Sequence, residues 1–165
     1  MTTMMRREID EIPQAVARLL DAGKDDISRA GRALAAHDPA VVVTVARGSS
    51  DHAAYFLKYA IELELGLPVA SLGPSLASIY KAPLRLQRAA AFAVSQSGAS
   101  PDIVSMLEGA KAGGALTLSL VNTTPSPLAD TASIALNIQA GPEIAVAATK
   151  SYVNSIVAGL AVLSE

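Results

Sequence analysis

The stretch AAAFAVSQSGASPDI, residues 89–103, decides the fold that we expect for this chain. It begins with an apolar run that lacks polar alternation, which is typical of a strand covered on both faces of a parallel sheet. It ends with Ser100, Pro101 and Asp102, and a serine followed by proline commonly starts a helix. Small hydroxyl residues, a glutamine and a glycine lie in between. The stretch therefore predicts a strand, a short polar loop and a helix in immediate succession.

The same succession repeats along the chain. Short apolar runs predict five strands, at residues 41–46, 68–72, 89–95, 115–121 and 133–138. Apolar residues at helical spacing predict helices at residues 5–22, 24–37, 50–65, 75–81 and 100–112, one turn near 128–131, and a last helix from about Glu143 to the end. Because strands alternate with helices, we predict an α/β fold: a three-layer αβα sandwich with a doubly wound, five-stranded parallel sheet.

Composition narrows the classes of function. The chain has 165 residues, 51% of them hydrophobic but 4% aromatic, so the core must consist of Ala, Val, Leu and Ile. The net charge is −2, and charged residues of both signs are interspersed along the chain. The absence of a basic patch argues against a nucleic-acid partner. The absence of cysteine excludes thiolate sites and fits a reducing compartment. Since neither a signal peptide nor a bilayer-spanning stretch is visible, we expect a cytoplasmic protein without a membrane partner.

Three loops that follow predicted strands carry the groups suited to ligand binding: ARGSSDH (46–52), SQSGAS (95–100) and QAGPEIAVAATKS (139–151). Open parallel sheets bind ligands beyond the carboxyl ends of their strands, where the winding reverses. Hydroxyls, glycines and free amides at helix starts are suited to bind an anion. No P-loop occurs, and no GxGxxG follows the first strand, so we expect no nucleotide cofactor. The pattern favours a small phosphorylated ligand held by neutral donors.

Each loop also has a purely structural interpretation. Ser100 with Pro101 is a good helix start whatever its function, and Gly98 could supply a turn. Ser49 and Ser50 could cap the helix that follows the first strand. For a single loop, capping explains the residues as well as ligand binding does. Two hydroxyl-rich loops at the ends of neighbouring parallel strands favour an anion site.

Three segments, ARGSSDHAAYFLKYAIE, VSQSGASPDIVSML and AGPEIAVAATKSY, resemble the sugar isomerase (SIS) domain in this order and at this spacing. The resemblance extends from the leader REIDEIP to the carboxyl end, and implies a flavodoxin-like fold. It is greatest to the amino-terminal half of double-SIS enzymes that act on amino-sugar phosphates. These include type II glucosamine-6-phosphate deaminases and the isomerase domain of glutamine–fructose-6-phosphate aminotransferase. The form Arg-Gly-Ser-Ser-Asp-His is more similar to the deaminases.

The resemblance implies a phosphosugar site and neither a metal nor a cofactor. In the family, the Ser-Gln-Ser-Gly loop and the next hydroxyl hold the phosphate, the serines of the first loop bind the sugar, and backbone before the last helix lines the same pocket. The residues implied at these places are Ser49, Ser50, Ser95, Gln96, Ser97, Ser100 and Val146. His37 and His52 are too far apart to predict a metal site.

Acid–base chemistry has three candidates, His52, Glu143 and Lys150. We expect His52 to face solvent or a subunit rather than the sugar. Glu143 is expected to open the last helix, where the helix dipole favours a carboxylate whatever its function. Lys150 is either a phosphate partner or a surface lysine. Because the resemblance implies that the catalytic glutamate, histidine and lysine lie mainly on a second half, we leave the catalytic residues of this chain unassigned.

These observations predict a helical leader at residues 1–38 and a single SIS half at 39–165, the second half being absent. The expected function is phosphosugar binding within an amino-sugar-phosphate deaminase or isomerase that is incomplete as this chain alone. The alternatives are the isomerase half of the aminotransferase and a non-catalytic, sugar-phosphate-binding regulator. We also expect a homodimer in which two copies mimic the usual pair, since an apolar surface would otherwise be exposed.

Overall fold

The computed structural model describes residues 2–165 and shows one five-stranded sheet with strand order β2-β1-β3-β4-β5. The strands are β1 (Val41–Val45), β2 (Val69–Ser71), β3 (Ala89–Ser95), β4 (Leu116–Val121) and β5 (Ile134–Asn137). Each neighbouring pair is parallel. The chain runs from β1 outward to β2 and then returns to the other side of β1, so the winding reverses between β1 and β3. The predicted α/β sandwich with a parallel five-stranded sheet is confirmed.

Helices cover both faces of this sheet within residues 2–165. They are α1 (Met4–Asp10), α2 (Ile12–Ala22), α3 (Lys24–His37), α4 (Ser49–Glu64), α5 (Ser75–Ser78), α6 (Pro101–Ala112), α7 (Pro127–Thr131) and α8 (Lys150–Leu163). One core lies between the sheet and α2, α3, α4 and α8, and a smaller core lies between the sheet and α5, α6 and α7. None of these helices is both long and apolar enough to cross a membrane.

The burial of β3 on both faces explains why its sequence shows no polar alternation. Successive side chains of a strand point to opposite faces. Phe92 and Val94 belong to the larger core, whereas Ala91 and Ala93 belong to the smaller one. Every residue of β3 is buried, so both of its faces are apolar. The small side chains of the alanines let α6 pack closely on the sheet, which suits a core poor in aromatic residues.

The helix predictions differ from the structure mainly in the leader and in the last helix, and α5 ends at Ser78 rather than at residue 81. The leader is broken at Glu11 into α1 and α2, because Pro13 occupies the first turn of α2, where its missing N–H is not needed. The last helix begins at Lys150 rather than at Glu143. Residues 140–149 form an irregular loop, since two of its amides bond to a carboxylate on α1 and the first amides of α8 bond to Glu143. Met1, the first residue of the expected leader, lies outside the described residues, and the expected division at residue 38 stays a prediction.

Candidate functional site

The candidate site lies at the carboxyl ends of β1 and β3, where the winding of the sheet reverses. The loop after β1 leads into α4 at Ser49, and the loop after β3 leads into α6 at Pro101. Because β1 and β3 are neighbours, the two helix N-termini start from adjacent strands. Helix N-termini present free backbone N–H groups and a partial positive charge. The fold therefore brings two predicted anion-binding loops to one edge.

Residues 95–100, which we call the β3 turn, are shaped by contacts within the turn and with the loop after β4. The Gly98 amide donates to Ser95 Oγ over 3.0 Å, and the Ala99 amide donates to Ser97 Oγ over 3.3 Å. Gly98 has a φ of +64°, and a Cβ at this position would overlap the Ser126 side chain. A glycine is therefore required here, because any other residue would be strained at this φ and its Cβ would not fit beside Ser126. Ser95 is buried beneath the turn, whereas Ser97 is exposed.

In the described chain, the serines at the starts of α4 and α6 do not cap these helices through their side chains. Ser100 occupies the N-cap position of α6, but its hydroxyl makes no capping hydrogen bond within residues 2–165. Helix α4 is preceded by Gly48, and again no side-chain cap is found in the described chain. Ser100 thus occupies the predicted N-cap position, followed by Pro101, but in the described chain neither its hydroxyl nor those of Ser49 and Ser50, which lie inside α4, caps a helix. At the start of α4, the Ser49 and Ser50 amides have no hydrogen-bond partner among the described residues and remain available to an anion. The start of α6 holds Pro101, which has no N–H, and the Asp102 carboxylate.

An ion pair that sequence reasoning missed connects the two loops. Arg47 lies two residues after the end of β1, and its guanidinium donates to the Asp102 carboxylate in the first turn of α6. This hydrogen bond from Arg47 holds the pKa of Asp102 below its usual range. The Arg47 side chain is 64% exposed, so the pair adds an accessible guanidinium to the edge. The sequence shows Arg47 within the first loop but gives no sign of a partner 55 residues away.

A cleft of about 240 Å³ lies beside the β3 turn. It is lined by residues of the loop after β1, the β3 turn and the loop before α8: Ser49, Ser50, Gln96, Glu143, Ala145, Val146 and Ala148. The structure thus brings four of the seven predicted phosphosugar residues into one cleft. Ser95, Ser97 and Ser100 belong to the adjoining turn and do not line the cleft. Because the two places are neighbours, a small ligand could contact both.

Glu143 lines this cleft, but its carboxylate already accepts four hydrogen bonds. The amides of Thr149 and Ser151 donate over 3.0 and 3.1 Å, and the two hydroxyls of the same residues also donate. Burial raises the pKa of Glu143, but these hydrogen bonds outweigh it and leave the pKa below its ordinary value. Glu143 therefore caps α8 from outside the helix, and a carboxylate of lowered pKa is a poor general base at neutral pH.

The other two acid–base candidates do not line the cleft. His52 is exposed in the first turn of α4. The Lys150 side chain is 3% exposed and forms an ion pair with Glu11 in the leader. Lys150 is therefore not a surface lysine, and its ammonium group is engaged away from the β3 turn. Its burial was hidden from sequence reasoning because its partner lies 139 residues earlier in the chain.

A second cleft, of about 420 Å³, adjoins the first and shares Gln96 and Glu143 with it. Neutral polar side chains from the ends of β4 and β5 line it, among them Asn122, Thr123 and Asn137. Asn122 also holds the chain after β5, since its amide donates to the Gly141 carbonyl and its oxygen accepts from the Ala140 amide, both at 2.8 Å. Sequence reasoning missed this cleft because its polar residues come from loops without a recognisable motif.

Comparison with known proteins identifies the family and agrees with the fold. The profile of the family described as the SIS domain matches residues 37–164. The chain is 35% identical to glutamine–fructose-6-phosphate aminotransferase (isomerizing) of Streptococcus pyogenes serotype M6, over 98% of this chain and 27% of that protein. The corresponding aminotransferase of Halobacterium salinarum is 37% identical over 92% of this chain and 26% of its own length. The chain therefore spans about a quarter of these relatives.

Solved structures give the same result. A proposed phosphosugar isomerase from Silicibacter pomeroyi DSS-3 is 59% identical and superposes with a TM-score of 0.97, covering 99% of this chain and 50% of that chain. The C-terminal domain of glucosamine-fructose-6-phosphate aminotransferase from Francisella tularensis is 25% identical, with a TM-score of 0.83, over 99% of this chain and 47% of that chain. The chain thus spans about half of each of these two structures.

Proposed function

Because this chain belongs to the SIS domain family, we propose that it binds a phosphorylated sugar at the edge formed by the β3 turn and the adjoining cleft. The observation that carries the proposal is the pair of uncapped helix N-termini on neighbouring strands, beside a cleft of about 240 Å³. Free amides at a helix start bind phosphate well. The amino-sugar-phosphate relatives support this choice of ligand.

The proposed arrangement divides the ligand between two places. The phosphate contacts the β3 turn, where Ser97 and Ser100 offer hydroxyls at the start of α6. The sugar occupies the cleft, where Ser50 and Gln96 supply polar side chains and Val146 supplies backbone. Ser95 supports the turn from below through its bond to the Gly98 amide. Arg47 adds positive charge at the phosphate end and offsets the negative charge of Asp102.

The chemistry of the whole protein is a further part of the proposal. The relatives support the isomerase half of an aminotransferase acting on fructose 6-phosphate, and the deaminase that the sequence motif favoured has no such support. Within this chain, Glu143 is the carboxylate that lines the cleft, and its oxygens are occupied by α8. We therefore propose that this chain alone binds the sugar phosphate without turning it over.

The binding experiment is a calorimetric titration of the chain with glucosamine 6-phosphate and, separately, with fructose 6-phosphate. Unphosphorylated glucosamine is the control ligand and should bind at least about tenfold more weakly. Ser100→Ala should weaken binding several-fold, whereas Ser75→Ala, at the exposed start of α5, should leave it unchanged. Equal affinity for the sugar with and without phosphate would overturn the proposal. Release of ammonia and fructose 6-phosphate from glucosamine 6-phosphate would overturn the statement that the chain alone is inactive.

The partner of this chain is a separate part of the proposal. Four of its six Tyr and Phe side chains are exposed, and Tyr55, Phe56 and Tyr59 lie together on α4. Large exposed apolar patches mark association sites. The Silicibacter pomeroyi chain has about twice the length of this one, which leaves room for a second half beside the matched part. We propose that a second copy covers α4 here. Sedimentation should give a dimer that Tyr59→Ser weakens, and a monomer at micromolar concentration would contradict this.

A further inference from the structure

Glu8 is a buried acid on an otherwise exposed helix. Its side chain is on α1 and the residue is 3% exposed, whereas the other residues of α1 are exposed. Its carboxylate accepts the Ile144 amide over 2.6 Å, and the Ala145 amide approaches both of its oxygens at 3.2 Å. A carboxylate is rarely buried unless it is fully hydrogen-bonded. Here its partners are two consecutive backbone amides 136 and 137 residues later in the chain.

These two amides belong to the wall that the two clefts share. Ala145 lines the smaller cleft together with Glu143 and Val146, and Ile144 lines the adjoining second cleft. The side chains of Ile144 and Val146 are exposed, so packing into a core does not fix this part of the backbone. The position of the wall therefore depends on polar contacts. Glu8 supplies them in the middle of the wall, and Glu143 supplies them at the start of α8.

The leader also holds both ends of the same loop. Arg18 on α2 donates to the carbonyls of Gln139 and Ala140, each over 3.3 Å. Glu11 pairs with Lys150 at the other end. These contacts fix where the loop leaves β5 and where it enters α8. Glu8 differs from them because it bonds to the residues that face the ligand space.

We propose that Glu8 is a positioning residue for the sugar-facing wall of the cleft, and that the leader is thereby part of the phosphosugar site. This inference rests on the proposed function. Glu8 touches no ligand itself; it holds Ile144 and Ala145 so that the backbone at Val146 meets the sugar. Within residues 2–165, Glu8 makes no hydrogen bond to the β3 turn, so we expect the phosphate end of the site not to depend on it. Loss of Glu8 is therefore expected to affect recognition of the sugar and leave recognition of phosphate unchanged.

The test compares Glu8→Gln with Asp10→Asn in the 165-residue chain. Asp10 is an exposed carboxylate on the same helix that pairs with Arg6, so it is a matched control. Backbone amide signals are followed by NMR during titration with fructose 6-phosphate and, separately, with inorganic phosphate. Glu8→Gln should shift the Ile144 and Ala145 signals and weaken fructose 6-phosphate binding about fivefold or more, because an amide offers one acceptor and no charge. Inorganic phosphate should still shift the Gly98 signal at unchanged affinity.

The outcomes separate this inference from the proposed function. If wild-type chain binds neither ligand, the proposed function fails. If wild-type chain binds both and Glu8→Gln binds fructose 6-phosphate as tightly, the positioning role is overturned. An equal loss of both affinities in Glu8→Gln would also overturn it, since that result reports general unfolding. Should Glu8→Gln not fold, Glu8→Asp serves instead: it keeps the charge, and the same selective loss of fructose 6-phosphate binding is expected from its shorter reach.

Discussion

The β3 turn and the loop before α8 both contribute to the candidate site, but they are held in different ways. The β3 turn is fixed mainly by residues two or three positions away, through Ser95 and Ser97. The loop before α8 is fixed by the leader, through Glu8, 136 residues earlier in the chain. A local motif thus forms the phosphate end, and distant contacts form the sugar end. The difference implies that mutations can impair either end separately.

The largest effect is expected from Gly98→Ala in the β3 turn. The new Cβ would overlap Ser126 and would also be strained at a φ of +64°. We expect a loss of about 2–4 kcal/mol in the free energy of unfolding and the loss of phosphate binding. Gly66→Ala is the matched control, because Gly66 has a φ of +65° with nothing within 4 Å. Urea unfolding measures both variants, and equal losses would show that space around Gly98 is unimportant.

A smaller effect is expected from Glu143→Gln in the loop before α8. We expect a loss of about 1–3 kcal/mol in the free energy of unfolding at pH 7, because the amides and hydroxyls at the start of α8 lose a charged acceptor. The pKa of Glu143 is lowered in the folded chain from an ordinary value of 4.5. Its stabilisation is therefore complete above pH 4.5 and is lost as the pH falls through the folded-state pKa.

The pH dependence checks this explanation of Glu143. Urea unfolding of wild type and Glu143→Gln is compared at pH 7 and in acid. The difference between the two proteins should shrink as the pH falls. A difference that stays constant with pH would mean that shape rather than charge explains the destabilisation.

The smallest change in stability is expected from Arg47→Gln, which removes the ion pair between the two helix starts. Because the Arg47 side chain is 64% exposed, the free energy of unfolding should fall by less than about 1 kcal/mol. Phosphate affinity should fall several-fold, since Asp102 then faces the phosphate without its guanidinium. Raising the salt concentration should weaken binding more steeply in wild type than in the variant. An identical salt dependence of binding in wild type and variant would show that Arg47 does not interact with the phosphate. Arg88→Gln is a control, because Arg88 is an exposed arginine paired with Asp38 before β1.

The contrast between the two regions also explains what the sequence could predict. The strand, turn and helix at residues 89–103 were predicted correctly because their apolar run, Gly98 and Pro101 act on immediate neighbours. The start of α8 was misplaced because the partners of its preceding loop, such as Glu8, are set by the tertiary fold. The burial of Lys150 was missed for the same reason. Residues near Glu143 have helical spacing, but the capping contacts override it.

The buried ammonium group of Lys150 has a consequence for cooperativity. Its partner Glu11 is in the leader, and leaving one charge of such a pair buried without its partner is strongly unfavourable. Undocking of the leader would therefore also destabilise the first turn of α8, a helix whose later residues Ala158 and Val162 belong to the larger core. The helices before β1 and the sheet should consequently melt in one transition, and amide exchange in α1 should be slower than its exposed surface suggests.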